Sequence, residues 1–487
     1  MRKNRRTDEK LSLRLGTLVP TQGFTQSLTR SLTSRVTSIA GFDPLSLNPI
    51  LAFEASRSML AAGDGAAENL DLVATFENRV SGGANATQTA ASNQPRAHVP
   101  VGDGHLYLSG VSGNYASVPD ADNLDGFNDF TLEFVGSSED WHDGLALSLI
   151  GKYRPGVSSY VVRLQASGTI FLLYSSSTTD YAYYSNASHN LVDGAKGGIR
   201  VIRSGSSLLF YENLYTGNGW QQIGTAVSGN SATLANRGHQ VEIGSYNYGG
   251  SYPFNGPVFS TKIWNSASPD TASPVLDVDF SGGEHKASTF ACSTGQTVTI
   301  NKSGNDPATI VRRPFLRFDG ADSRMDGSFN ESNTTGGYMF VVYSVNGNGG
   351  EASGRVFVMN SAGEQGYNNT RSFLWSLRKG TENNIAYYQN STWQGIHTLG
   401  FDPVDGTLLH ELKAVDGAQF SKVNNGDIQT SSLNLSLSSE EFDIGATPAS
   451  SSNPAIDIEA LYLFDHTLTD ADATKVRDYL NAKSSIY

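Results

Sequence analysis

The sequence predicts an all-β protein made of two sandwiches, and three observations carry that expectation. The apolar runs are short, four to seven residues, and Gly, Asn, Asp or Pro bounds each of them. Such spacing suits half-buried strands separated by frequent turns. One ordered set of local patterns also occurs twice along the 487 residues. A long period with a core in each copy indicates a duplicated domain, since a solenoid repeats at shorter intervals. Finally, Cys292 is the one cysteine, so no internal disulfide framework exists and each core must hold by packing.

The repeat is readable element by element. Ile50-Leu51-Ala52-Phe53-Glu54-Ala55-Ser56 returns as Val275-Leu276-Asp277-Val278-Asp279-Phe280-Ser281, and the strand ending at Gly110 returns as the one ending at Gly320. Phe130 to Val135 returns as Tyr338 to Tyr343. Val241-Glu242-Ile243-Gly244 returns as Phe442-Asp443-Ile444-Gly445, each followed by a last strand, Val258 to Trp264 and Ala460 to Phe464. The expected order is therefore an N-terminal arm over 1–47, a first sandwich over 48–274 and a second over 275–487. Strands are expected near 104–109, 130–136, 145–151, 159–165, 169–174, 198–203, 207–211, 240–244 and 257–264. The second set falls near 314–319, 338–345, 355–360, 371–377, 385–389, 407–415, 418–423, 441–445 and 456–464. A closing helix over Asp470 to Lys483 is capped by Thr469 or Asp470 and turns Ala473, Val476, Tyr479 and Leu480 inward.

Charge is divided unevenly. The first 40 residues hold eight Arg and Lys, including Arg2, Arg5 and Arg6, against Asp8 and Glu9, a balance of +6; the remainder of a chain of net charge −13 then carries −19. Phe24, Leu28, Leu32, Val36 and Ile39 fall at helical spacing before Gly41. So narrow a stripe needs a partner, and assembly with other proteins or with a second copy is the role expected of it. No secretory signal is read, because Arg14 interrupts Leu11 to Leu18. No run is long enough for a transmembrane helix, so membrane insertion is not expected. The basic residues lack interleaved aromatics, which argues against a nucleic-acid partner.

With the elements in order, the chain resembles the concanavalin A-like, laminin G-like jelly-roll superfamily, most of all the versions in proteins of tailed bacteriophages and bacterial surfaces. The resemblance rests on Phe53-Glu54-Ala55-Ser56, on the stretch from Phe76 to Gln88, on Pro314-Phe315-Leu316-Arg317-Phe318-Asp319-Gly320-Ala321-Asp322, and on Leu461 to Asp472 before the helix. It implies two tandem concanavalin A-like jelly rolls. It leaves function open, because this fold carries lectins, glycosidases and inert modules.

Three candidate sites stand out among the residues. Tyr181 and Tyr183, with Tyr246, Tyr248 and Tyr252, are candidates for carbohydrate contact, since sugar C–H faces pack on aromatic planes; tyrosine is equally a residue of interfaces. Asp120, Asp122 and Asp125 crowd beside Gly126 with an oxygen density that would suit Ca2+, although Asp and Asn are also ordinary turn formers. Asp457 and Glu459 alternate on a strand as glycosidase carboxylates do, but Ala455 stands where the resemblance would place a further carboxylate. No catalytic residue is therefore assigned. No zinc spacing, phosphate-binding loop or nucleophile elbow occurs. Together the readings give a virion structural protein, tail-associated or a capsid decoration, made in the host cytoplasm and released by lysis. It would assemble with itself and other virion proteins and touch host surface glycans. The alternatives are a glycan depolymerase on the same fold and a cell-surface adhesin.

Overall fold

The computed structural model describes residues 41–486, apart from positions 64, 143, 157, 178 and 425 and the segments 329–335, 347–353, 361–372, 379–383, 390–391, 399–405, 416–417, 432–440 and 446–453. The expected helix carrying Phe24, Leu28, Leu32, Val36 and Ile39, and the basic residues Arg2, Arg5 and Arg6, lie outside the described residues.

Nearly everything described is β, in two sandwiches of two antiparallel sheets each. In the first sandwich one sheet runs Gln221–Gln222, Ser207–Asn213, Gly197–Ser204, Phe130–Gly136, Asn255–Trp264, His105–Ser109 and Thr309–Val311. The sheet facing it runs Asp180–Tyr184, Ile170–Ser175, Tyr160–Leu164, Leu147–Lys152, Val241–Ile243, Tyr115–Val118, Thr297–Asn301 and Thr289–Ala291. Leu106, Phe134, Trp141, Leu149, Leu172, Val201 and Ile243 fill the space between them. The second sandwich repeats the plan around Phe53, Phe76, Leu316, Phe318, Val341, Phe442 and Ile458.

Duplication holds down to individual contacts. Gly244 and Gly445 both have positive φ, 80° and 86°. A Cβ on Gly244 would collide with Leu108 Cδ1, and one on Gly445 would collide with Phe318 Cδ1, so both copies need a side-chain-free residue at the same place. Gly110 and Gly320 likewise approach Asn255 and Ala455. Both last strands also break register at one point, between Val258 and Ser260 in the first copy and opposite Val342 and Tyr343 in the second.

Strand pairing departs from the expected boundary at 274/275. The segment 51–98 does not complete the first sandwich: Leu51–Glu54 pairs with Ala455–Phe464, and Arg96–His98 pairs with Phe315–Asp319. Reciprocally, Leu276–Asp279 pairs with Asn255–Trp264 and Thr309–Val311 with His105–Ser109. Each repeat's leading segment therefore closes the other repeat's sandwich. One sandwich comprises roughly 105–311 and the other 43–98 with 315–486. The sequence pattern singles out the apolar openings at 50–56 and 275–281 but not which body accepts them, because both bodies present equivalent edges; it does not single out Arg96–His98 or Thr309–Val311.

The C-terminal helix spans Asp470–Ser484, and Thr469 is its N-cap: Thr469 Oγ1 accepts from Asp472 N at 3.1 Å. Ala473, Val476, Tyr479 and Leu480 are buried, as expected, against Phe340, Val342, Tyr462 and Phe464. Beneath it lies Glu54, buried and ion-paired to Arg79 and Lys483, each at 2.6 Å. Tyr479 Oη also donates to Glu54 at 2.8 Å, and Tyr462 Oη hydrogen-bonds the same carboxylate. Against the cost of burial, these partners hold the Glu54 carboxyl below its ordinary value.

Candidate functional site

The outer face of the first sandwich gathers aromatic rings and two arginines. Alternation along the strands places Tyr184 opposite Phe171, and Phe171 opposite Arg163. Above them the loop from Tyr246 to Tyr252 folds back on itself through a bridge between Tyr246 and Ser251. Tyr246 and Tyr252 stack at 5.7 Å, and Tyr153 meets Tyr246 edge-on at 4.9 Å. The Arg163 guanidinium lies 4.2 Å from the Phe171 ring centre and 4.9 Å from that of Tyr252, while Arg154 lies 3.0 Å over Tyr248.

The loop is held in a conformation that side chains rarely adopt. Asn247, Tyr248 and Tyr252 have φ of 57°, 61° and 49°. The buried Glu242 carboxylate fixes it by accepting from Tyr248 N at 2.9 Å and Gly249 N at 3.1 Å. Burial pushes the Glu242 carboxyl upward, opposed by hydrogen bonds from Gln240 and the Gly249 amide. Gly249, at φ +73°, packs where a Cβ would collide with the Tyr115 ring. Tyr248 and Tyr252 are thereby presented half-exposed, at 51% and 42%. Left-handed tyrosines carry a conformational cost of about 1–3 kcal/mol each, which the surrounding contacts must offset.

Neither arginine forms an ion pair among the described residues. Arg163 donates to Tyr246 Oη at 3.2 Å, and its buried Nε has no partner. A guanidinium without a carboxylate, set among rings, presents donors to hydroxyl pairs or to a carboxylate on a ligand.

The other tyrosines expected here sort differently. Tyr181 and Tyr183 pack against the core: Tyr183 stacks on the buried Tyr174 at 5.6 Å and Tyr181 meets it tilted at 5.5 Å, so they belong to the core edge. Tyr184, which clusters with Tyr181 and Tyr183 in the sequence, does belong to the face, together with Phe171, Tyr153, Arg154 and Arg163, which sequence reasoning does not single out. The signal that separates them is the period-two alternation of Asp180–Tyr184, which sets Tyr184 opposite in facing to Tyr181 and Tyr183.

The acidic loop is closed by a lysine. Lys152 is fully buried, and its Nζ lies 2.5 Å from Asp120 and 2.6 Å from Asp125. Asp125 Oδ2 accepts further from Ser159 Oγ at 2.9 Å and Arg237 N at 2.8 Å, while Asp122 is exposed. Two of the three carboxylates of the expected calcium set, Asp120 and Asp125, are thus paired with an ammonium. Elsewhere Asp140, His142 and Asp193 bring ligand atoms within 4.8 Å of one another. An imidazole there, with Asp140 Oδ1 accepting from His142 N and Asp193 Oδ1 from Trp141 N, does not fit an all-oxygen calcium cage.

Asp457 and Glu459 lie at the junction of the sandwiches. Arg317 grips Asp457 with two bonds, Nε to Oδ1 at 2.8 Å and Nη2 to Oδ2 at 3.0 Å, and reaches Asp306 at 2.6 Å. Lys286 lies 3.2 Å from Asp457, and Arg313 lies 3.3 Å from Glu459. Burial opposes ionisation of both carboxyls, but these cations win. Asp457 is held far below the ordinary range, and Glu459 is held down to about 2, with His285 among its partners. A general acid must keep its proton near working pH, and neither residue does.

No protein-family model matches the chain, and no curated protein matches it. Among solved structures, domains LG4-5 of the mouse laminin alpha1 chain are 10% identical, over 77% of this chain and 93% of that one, with a TM-score of 0.27. A heptameric SAP-like pentraxin from Limulus polyphemus is 13% identical over 34% of this chain and 79% of its own, at a TM-score of 0.25. The enzymatically active domain of tailspike protein 2 from bacteriophage CBA120 is 14% identical over 35% of this chain and 27% of its own, at 0.27. All three pair identities of 10–14% with TM-scores below 0.5.

Proposed function

We propose that this protein binds carbohydrate on the outer face of its first sandwich. Sugar rings would pack on Tyr248, Tyr252 and Tyr246, with Arg154 and Arg163 meeting hydroxyls or an acidic group. The observation that carries the reading is the pair of left-handed, half-exposed tyrosines beside two arginines without carboxylate partners. A glycan array probed with the full chain tests it. Binding to a defined set of glycans, lost in Arg163→Met and Tyr252→Ala, is expected; uniform absence of binding would end the proposal.

The wider role we propose is that of a virion component, tail-associated or on the capsid, whose +6 N-terminal segment docks to other particle proteins while the −19 remainder projects outward. Mass spectrometry of purified particles, with and without residues 1–47, tests that role. We further propose that the protein does not hydrolyse glycans, because Asp457 and Glu459 are both committed to ion pairs as carboxylates. Release of reducing ends that is lost in Glu459→Gln would overturn this.

A further inference from the structure

Where the two sandwiches meet, a cleft of about 880 Å³ opens between the turn at 284–288, the connector at 312–313, and residues 406–408 and 483–486 of the second sandwich. Its described lining brings together Lys286, Lys302, Arg312, Arg313 and Lys483 against the single carboxylate Glu284. This is a local concentration of positive charge on a chain of net charge −13. Its walls come from both sandwiches, because 284–313 packs with the first body while 406–408 and 483–486 belong to the second, although every lining residue falls in the second repeat.

Lys286, Arg313 and Lys483 are fixed by carboxylates behind the wall: Asp457 at 3.2 Å, Glu459 at 3.3 Å and Glu54 at 2.6 Å, respectively. Arg312 is exposed and makes no ion pair among the described residues; its Nη1 donates to Gly283 O at 3.3 Å. Lys302, also exposed, donates to Lys286 O at 3.3 Å. Both side chains are exposed and line the cleft. Ammonium and guanidinium groups donate and do not accept, so the ligand must supply oxygen acceptors and negative charge. No Phe, Tyr or Trp is among the described lining residues, so ring stacking is not the basis of selection here.

We propose that this cleft is a second binding site, separate from the tyrosine face, and that it takes a saccharide bearing tetrahedral oxyanions, a sulfate or phosphate ester. The volume is of the size that ligand clefts occupy, enough for a short oligosaccharide. The two sites select on different chemistry: the tyrosine face reads sugar faces, and the cleft reads charge.

The test is calorimetric titration of the full chain with a sulfated tetrasaccharide, with its unsulfated counterpart, and with inorganic phosphate as competitor. Saturable binding of the sulfated sugar near one per chain is expected, weakening as salt rises. The double substitution Lys302→Ala with Arg312→Ala should weaken it at least about tenfold. Both cleft side chains are exposed, so an unaltered melting temperature of the double variant shows that folding is intact. Phosphate should compete if the oxyanion alone is recognised; failure to compete while the sulfated sugar still binds assigns the site to the sulfate ester. Equal binding of the unsulfated sugar, wild-type affinity in the double variant, or no saturable binding would overturn the proposal. Loss of array binding in the tyrosine-face variants alone leaves this site standing.

Discussion

Leu51 lies directly opposite Leu463 in the antiparallel ladder of the second sandwich, although its repeat's own last strand ends at Trp264. The partner that Trp264's strand takes instead is Leu276–Asp279, from the head of the second repeat. Exchange of equivalent segments keeps every buried ladder paired while tying the two bodies through the short connectors 99–104 and 312–314.

A fragment cut at the exchange should therefore behave differently from one cut at the repeat. Residues 104–311 contain all the strands of the first sandwich and should unfold cooperatively alone. Residues 275–487 lack the strand carrying Leu51 and Phe53 and should be expanded or aggregated. Circular dichroism melts of the two fragments check this, and a cooperative melt of 275–487 alone would contradict the exchange.

The junction should depend on Arg317 and Asp457 as a unit. Asp457→Asn leaves the buried Arg317 with only the more exposed Asp306 as counter-charge and should cost about 3–5 kcal/mol in urea unfolding. Combining Arg317→Met with Asp457→Leu should cost clearly less than the sum of the single changes, because neither buried charge of the pair is then stranded. Strict additivity in that comparison would show that the two residues act independently.

Asp443 faces Asp326 across a ladder, and burial together with that neighbour pushes its carboxyl up to about 8. The native state then holds a proton that the unfolded chain releases near pH 4, so stability should fall as pH rises from about 4 to about 8 and level off above. Asp443→Asn should flatten that segment of the stability–pH curve. An unchanged slope, measured by melts across this range, would refute the assignment.

Lys152 should prove indispensable in the loop whose carboxylates suggest calcium. Lys152→Ala strands the buried Asp125 and should destabilise by about 3–5 kcal/mol. Wild-type melts should not shift with added calcium through this loop; a calcium-dependent rise lost in Asp125→Asn would show that the loop takes a cation after all.

Legibility in the sequence followed range. The duplication, many of the strands and the C-terminal helix with Thr469 and its four inward residues are local patterns that the structure repeats, whereas Tyr115–Val118, Asp180–Tyr184, Thr297–Asn301 and Thr309–Val311 are strands the sequence reading does not single out. The stretch from Phe76 to Gln88 stands out as a motif, and the structure shows its cause. Asn78 Oδ1 accepts from Ala52 N at 3.0 Å and from Val80 N at 3.1 Å, and Gly83 packs on that amide where a Cβ would clash. Partner choice is not legible, because Leu51 and Leu276 sit in equivalent patterns that either body accepts. Nor is the role of Lys152, since a lone lysine in an apolar strand gives no hint that it closes a loop some thirty residues earlier. The tyrosine loop can be found from composition, but Arg154 and Arg163 reach it only through sheet pairing.

The most direct test of the account is the affinity of an array-selected glycan for the wild-type chain and for Tyr248→Ala combined with Tyr252→Ala, measured by calorimetry alongside their melting temperatures. Loss of two exposed stacking rings should weaken binding by roughly tenfold or more, about 1.4 kcal/mol, with stability nearly unchanged. Undiminished affinity in a folded double variant would contradict the assignment of this face as the carbohydrate site.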